Sequence, residues 1–97
     1  MLIRIVRLSF KSEHVEEFLN NFEINKSKIR NFKGCEKLEL LRDKNHENVF
    51  FTYSYWNSDV DLENYRNSEL FASVWAKTKI LFNDKAQAWS VERLVEM

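Results

Sequence analysis

The sequence predicts one α+β domain over residues 1–97, with a four-stranded antiparallel sheet and helices packed on one of its faces. Three observations support this class. Four short segments are rich in branched and aromatic residues, as strands are, and between them lie segments whose apolar residues recur at helical spacing. Hydrophobic residues make up 44% and charged residues 31%, which is a globular composition, and 97 residues suffice for one core. The resulting order, β-α-β-β-α-β, is that of a ferredoxin-like sheet.

The first strand and the first helix are predicted from residues 2 to 31. LIRIVRLSF (residues 2–10) consists mainly of branched and aliphatic side chains. Ser12 is the expected N-cap of the helix that follows and extends to about Asn31. Gly34 comes next in NFKGC, where the end of a helix needs a residue that tolerates positive φ. The apolar residues that recur on one face of this helix are Val15, Phe18, Leu19, Phe22 and Ile29.

The remaining elements are a hairpin, a divided helical segment and a last strand. Residues 35–42 and 49–56 are the expected strands of the hairpin, on either side of the turn-forming DKNHEN. SDVD, which begins at Ser58, resembles a capping box and starts a short helix to about Arg66. A longer helix begins near Ser68, with an apolar stripe that extends to Phe82. AWSVERLV (residues 88–95) is the fourth predicted strand.

The third strand, VFFTYSYW, carries large apolar groups on both of its faces, because strand side chains alternate. Helices cover only one face of a ferredoxin-like sheet. Monomers seldom expose an apolar patch of more than a few hundred Å². A second copy of the chain packed against the open face is therefore expected, and the protein is predicted to be a homodimer. One face of the strand carries Phe51, Tyr53 and Tyr55, and the other carries Phe50, Thr52, Ser54 and Trp56.

Nucleic-acid and membrane binding are not expected. The 15 basic and 15 acidic side chains balance, so net charge gives no attraction to phosphate backbones or anionic lipid. RNA-recognition domains share this element order, but their third strand opens with a basic residue and a glycine, which NVFFTYSY lacks. No apolar run approaches the length of a membrane span, and the N-terminus lacks the apolar core of a signal peptide.

The cysteine count and the spacing of metal-ligand residues exclude a disulfide and give no sign of a metal site. Cys35 is the only cysteine, so no intramolecular disulfide can form, and a reducing, cytoplasmic location is expected. We interpret Cys35 as an ordinary small residue at the start of a strand. No grouping of His, Cys, Asp and Glu has the spacing of a metal site, and a single glycine excludes a phosphate-binding loop.

Three features together resemble the antibiotic biosynthesis monooxygenase (ABM) family. They are the strand that ends at Trp56, the step into the helices in WNSDVDLENYRNSELF, and the NFKGC turn. The resemblance covers essentially the whole chain and implies a dimeric α/β barrel with one pocket per subunit between helices and sheet. Several members of the family oxidise phenols or quinols with molecular oxygen and use no metal or flavin. A haem-degrading branch binds haem, and other members are isomerases or have no known activity.

The resemblance also assigns positions to the functional residues of relatives. The asparagine, tryptophan and histidine of the haem-degrading branch fall at Val6, Tyr65 and Trp75, and none of the three is retained. Tryptophan cannot ligate iron, so haem is not expected as a ligand and no cofactor is expected. Histidines of quinol-oxidising relatives correspond to Tyr65 and Leu70, so the general base found in those relatives is missing.

Two residues are candidates for catalysis. Tyr65 has a phenol that can hydrogen-bond an oxygenated substrate, with Arg66 beside it to support an anion, although a half-buried tyrosine with a hydrated hydroxyl would look the same. His14 is the one histidine considered as a base, and the alternative for it is a solvated surface position. The residues predicted to line the pocket are Val6, Trp56, Tyr65, Phe71 and Trp75. For Trp75 the alternative role is packing in the core. For Trp56 the alternative role is a structural plug at the end of the strand.

Three functions follow from these candidates. The first is cofactor-independent oxygenation of a small phenol or quinol with molecular oxygen. The second is an ABM-fold protein that binds or isomerises a small aromatic metabolite without oxidising it. The third is a dimerisation domain without a ligand. The aromatic residues favour a ligand, and the missing histidines favour the second function over the first.

Overall fold

A computed structural model describes all 97 residues and contains four strands, three α-helices and one 3₁₀ turn. The sheet has the order β2-β3-β1-β4, and every pair of neighbours is antiparallel, which confirms the predicted ferredoxin-like α+β class. No helix is both long enough and apolar enough to cross a membrane. The elements are β1 (Leu2–Ser9), the 3₁₀ turn (Ser12–His14), α1 (Val15–Arg30), β2 (Cys35–Arg42), β3 (Val49–Trp56), α2 (Asp59–Arg66), α3 (Glu69–Lys79) and β4 (Gln87–Glu92).

The last strand is shorter than the sequence predicts. β4 pairs with β1, and Leu2, the first residue of β1, lies opposite Glu92. No partner strand extends beyond that pair, so the backbone after Glu92 has no ladder to join. The prediction of a strand to residue 95 is therefore wrong at its end, and Leu94 lies outside the sheet with 87% of its surface exposed.

The helix starts differ in how they are capped. The prediction that Ser12 is an N-cap is wrong: Ser12 begins the 3₁₀ turn, and the first α-helix starts at Val15 without a side-chain cap. The backbone closes this turn itself, with the amide of His14 donating to the carbonyl of Lys11 at 2.9 Å. The later prediction at Ser58 is confirmed, because its hydroxyl accepts from the amide of Asp61 at the start of α2.

Gly34 is the one residue with positive φ, at 90°, and it lies between α1 and β2. A Cβ at this position would collide with the side chain of Asp61 on α2. The carbonyl of Gly34 also accepts from the amide of Asn57, 2.9 Å away. A glycine is therefore required here for two reasons: the backbone conformation and the close approach of α2.

Two buried clusters pack the helices onto one face of the sheet. The larger joins Phe10, Phe18 and Phe50 to neighbours on the adjoining strands and helices, and the rings of Phe10 and Phe18 stack with centroids 4.2 Å apart. The smaller consists of Cys35, Trp56 and Leu62. The clusters lie at opposite ends of β3, so the space above the middle of that strand is framed by packed aromatic rings at both ends.

No helix covers the opposite face of the sheet, which we call the open face. The strand register places one set of alternating side chains on it, and several are large and apolar. Trp89 and Val91 of β4 keep 45% and 38% of their surface exposed. The apolar members of the open face are Ile3, Ile5, Leu41, Phe51, Tyr53, Tyr55, Trp89 and Val91.

Candidate functional site

A cavity of about 350 Å³ lies between the sheet and all three helices. This volume falls within the range of roughly 300–1,000 Å³ that is typical of ligand pockets. Its wall is mainly apolar and aromatic, with a few polar side chains and two arginines. The lining residues are Arg4, Val6, Leu8, Phe18, Phe22, Ile29, Leu38, Thr52, Ser54, Leu62, Tyr65, Arg66, Phe71, Val74, Trp75, Thr78, Ala86 and Ala88.

The cavity exists because the helix-side face of the sheet has small residues at its centre. Along β3 this face reads Phe50, Thr52, Ser54 and Trp56, with a large ring at each end and a small polar side chain at each middle position. The two rings are buried in the two core clusters and keep the helices away from the sheet. Thr52 and Ser54 do not fill the gap between them, and they form the floor of the cavity.

The side chain of Tyr65, on α2, forms part of the cavity wall and contacts three other aromatic side chains. Its ring stacks on Trp56 and meets Phe32 and Phe71 edge to face, with centroid distances of 5.1, 5.3 and 5.2 Å. Its hydroxyl makes no hydrogen bond within the chain, although its backbone carbonyl accepts from Ser68. Burial raises the pKa of Tyr65 to about 12, with a smaller contribution from the nearby Cys35. Near neutral pH the phenol of this cavity-lining residue is therefore protonated and able to donate a hydrogen bond.

Trp56 does not line the cavity, contrary to the expectation from the sequence. It is fully buried behind Tyr65, and its indole N–H donates to the hydroxyl of Ser54 at 2.9 Å. The hydrogen bond satisfies the one polar atom of the indole, so the ring can be enclosed completely. Trp56 is thus a structural plug at the end of β3, which is the alternative role given for it above.

The other expected lining residues do lie on the cavity wall. Val6 belongs to the sheet side, and Phe71 and Trp75 belong to α3. The rings of Phe71 and Trp75 are nearly parallel, at 10°, with centroids 5.8 Å apart. Trp75 also packs against the larger core cluster. Trp75 is therefore part of both the core and the cavity wall.

His14 is not near the cavity. It precedes α1 and is absent from the lining, and its Nδ1 atom is buried without a hydrogen-bond partner. The second histidine, His46, lies on the exposed β2–β3 turn and contacts Asp43 at 3.1 Å. No histidine, aspartate or glutamate lines the cavity, so the wall contains no side chain that is an ordinary general base near neutral pH.

Arg4 was not identified from the sequence as a site residue, yet it lines the cavity together with Arg66. These two arginines are its only charged lining residues. The sequence contains the information needed to place it. Strand side chains alternate between faces, so Arg4 lies on the same face as Val6 and Leu8, which is the face toward the helices. Burial, and then the positive charge of Arg66, lowers the pKa of Arg4.

The one thiol of the chain and its metal-ligand residue types do not form a further site. Cys35 is buried outside the cavity, and burial raises the pKa of its thiol, so it lacks the character of a reactive thiolate. No group of three or more His, Cys, Asp or Glu side chains is arranged to hold a metal ion.

Sequence comparison identifies the family. The profile of the antibiotic biosynthesis monooxygenase family matches residues 1–77. The chain belongs to the ABM family. No curated protein sequence matches the chain.

Solved structures show the same fold over nearly the whole chain. A structure described as antibiotic biosynthesis monooxygenase is 17% identical, with a TM-score of 0.91, and covers 98% of this chain and 100% of its own. A conserved protein from Methanosarcina mazei Go1 is 16% identical, with a TM-score of 0.89, over 96% and 93% of the two chains. Rv0793 from Mycobacterium tuberculosis is 15% identical, with the same TM-score, over 98% and 96%. At these identities the likeness shows the fold alone.

Proposed function

We propose that this ABM protein binds a small aromatic phenol or quinol in the cavity and oxygenates it with molecular oxygen, without a metal or an organic cofactor. The observation that carries the proposal is the cavity itself: an aromatic wall with a protonated, unpartnered Tyr65 phenol facing into it. A flat ring fits between aromatic walls, and its oxygen substituent can accept the hydrogen bond from Tyr65.

The chemistry relies on the substrate for electrons. A deprotonated, electron-rich ring passes an electron to O₂, and the two radicals then combine to form a carbon–oxygen bond. Cleavage of the oxygen–oxygen bond leaves one oxygen atom on the ring as a quinone carbonyl, and the other departs as water with the two hydrogens that the phenol loses. The protein must desolvate the ring, hold it and stabilise its anion, and an apolar cavity with the Tyr65 donor supplies these requirements.

The second candidate is binding or isomerisation of an aromatic metabolite without oxidation. The observation that favours it is the absence of a histidine or carboxylate from the cavity wall, because oxygenation starts from a deprotonated ring. The reading as a dimerisation domain without a ligand is less well supported, since it gives no reason for the small residues that keep the cavity open.

Oxygen uptake tests the proposal. Purified protein in excess chelator is mixed with a panel of hydroquinones and polycyclic phenols in an oxygen electrode cell, with boiled protein as control. Protein-dependent uptake without added metal or flavin supports oxygenation. Uptake no faster than the control across the panel would reject oxygenation and leave the binding function.

Tyr65→Phe separates the two candidates. Under the first, loss of the hydrogen bond to the developing anion lowers turnover by about tenfold or more. Under the second, it changes ligand affinity and nothing else. Ser73→Ala, an exposed substitution on α3, serves as the matched loss of a hydroxyl outside the cavity.

The assembly that we propose is a homodimer formed through the open face. Its apolar residues lie on all four strands, and the face has no covering element in one chain. A second copy would bury this face against the same face of its partner. We also propose a reducing, cytoplasmic location, which the single unpaired cysteine supports.

A further inference from the structure

Arg4 is a half-buried cationic group that forms no salt bridge within the chain. It is absent from every ion pair in the chain, and its one hydrogen bond goes to the neutral hydroxyl of Ser90 on the neighbouring strand, at 3.1 Å. A guanidinium has five N–H donors and a charge that stays in place at physiological pH. Most of its binding capacity is therefore unused by the protein.

Arg66 adds a second positive charge to the same cavity. It lies at the end of α2, is partly exposed, and is paired with Glu63 at 3.3 Å, so part of its charge is compensated. Glu63 does not line the cavity, whereas both arginines do. The charged part of the wall is consequently positive, in a site where the other surfaces are apolar or neutral.

We propose that Arg4, supported by Arg66, binds an anionic oxygen on the aromatic ligand, so that the cavity selects rings that carry an ionised acid substituent over neutral isosteres. This inference rests on the proposed binding of an aromatic ligand and adds the charge of that ligand. Arginine forms two parallel hydrogen bonds to a carboxylate, and such bonds are strong in a low-dielectric site.

The lowered pKa of Arg4 agrees with this assignment. Burial and Arg66 both disfavour its positive charge, and Glu63 only partly opposes them. A bound anion would offset both effects. The two arginines would also favour the ionised form of a phenol held beside them, and this supplies a route to the deprotonated ring in a cavity that lacks a histidine or carboxylate base.

Binding of 2-naphthoate and 2-naphthamide, measured by isothermal titration calorimetry at pH 7, tests the inference. The two molecules have nearly the same shape and differ in charge. We expect the wild-type protein to bind naphthoate at least about tenfold more tightly, because a hydrogen bond to a charged group contributes on that scale. Arg4→Gln should remove this preference, so that the two molecules bind the variant with equal affinity. Lys77→Gln, which removes an exposed cation of α3 outside the cavity, should retain the preference.

The outcomes separate this inference from the proposed function. Equal affinity for the two molecules in the wild-type protein would overturn the anion site, while aromatic binding would stand. A preference that survives in Arg4→Gln would overturn the assignment to Arg4. Absence of binding by either molecule would count against both the anion site and the aromatic cavity as a ligand site. Circular dichroism spectra of Arg4→Gln that match the wild type establish that the variant is folded.

Discussion

The ring of Tyr65 stacks on the indole of Trp56, with centroids 5.1 Å apart and planes inclined by 26°. The stack joins α2 to the end of β3. Its two rings have different roles, one in the core and one in the cavity wall. Trp56 is enclosed and has its N–H bonded to Ser54, whereas Tyr65 forms part of the cavity wall with its hydroxyl unbonded. Because the indole is enclosed, it restricts the orientations open to the ring that stacks on it.

The raised pKa of Tyr65 predicts a loss of stability in alkaline solution. An ordinary tyrosine, as in the unfolded chain, ionises near pH 10, and Tyr65 in the folded protein near 12. Between these values the unfolded state binds fewer protons than the folded state, so the free energy of unfolding falls as pH rises. The stabilisation is complete below pH 10 and is lost by about pH 12, and it amounts to about 2–3 kcal/mol.

Urea denaturation across this pH window measures the effect. Tyr65→Phe has no ionisable group at this position and should show a shallower decline than the wild type. Tyr53 and Tyr55 are present in both proteins, so the comparison isolates the contribution of position 65. Parallel declines in the two proteins would show that Tyr65 is not the buried phenol that the fold requires.

The hydrogen bond between Trp56 and Ser54 predicts a measurable stability cost when it is removed. Ser54→Ala takes away the acceptor and leaves the buried indole N–H without a partner. An unsatisfied buried donor costs about 1–3 kcal/mol. Urea denaturation of Ser54→Ala should give this decrease, whereas Ser73→Ala, at an exposed position, should stay within about 0.5 kcal/mol of the wild type. Equal stability of the two variants would contradict the bond.

The backbone conformation and the close packing of Gly34 predict a third stability effect, with two separable causes. Gly34→Ala places a Cβ at φ 90° and against Asp61, so it should destabilise the fold by at least about 1–3 kcal/mol from backbone strain alone. A double-mutant cycle with Asp61→Gly removes the collision and retains the strain. We expect Gly34→Ala to lower the free energy of unfolding less in the Asp61→Gly background than in the wild type, as measured by urea denaturation. No coupling between the two substitutions would mean that α2 does not approach Gly34 closely.

Much of the fold could be predicted from the sequence, because apolar periodicity and turn residues fix most elements locally. The hairpin and the cap at Ser58 depend on residues close together in the chain, and both are confirmed. The end of β4 could not be predicted in this way, since it is set by where β1 begins, some ninety residues earlier in the chain. The prediction of an N-cap at Ser12 is wrong because the local sequence also permits a 3₁₀ turn that is closed by backbone atoms.

The cavity was harder to predict than the fold. Aromatic content indicated a pocket wall, but periodicity alone does not distinguish a ring that lines a cavity from one that seals it, as Tyr65 and Trp56 show. The pattern of large, small, small and large residues on one face of β3 contained the missing information, since small side chains at the centre leave space. Arg4 could have been found by the same alternation, because it shares a strand face with Val6 and Leu8.

The open face leads to the prediction about assembly. Light scattering at low micromolar concentration should give twice the chain mass of 11.8 kDa. Trp89→Glu places a charge among apolar residues of this face and should shift the protein to monomer, because burial of an unpaired carboxylate in the interface is unfavourable. Val60→Glu alters an exposed apolar residue of α2, away from the open face, and should remain dimeric. A monomeric wild type would remove the proposed dimer, and a dimeric Trp89→Glu would place the contact on another surface. If the dimer forms as proposed, each cavity lies on the side of its sheet that faces away from the partner, so ligand binding should not depend on the oligomeric state.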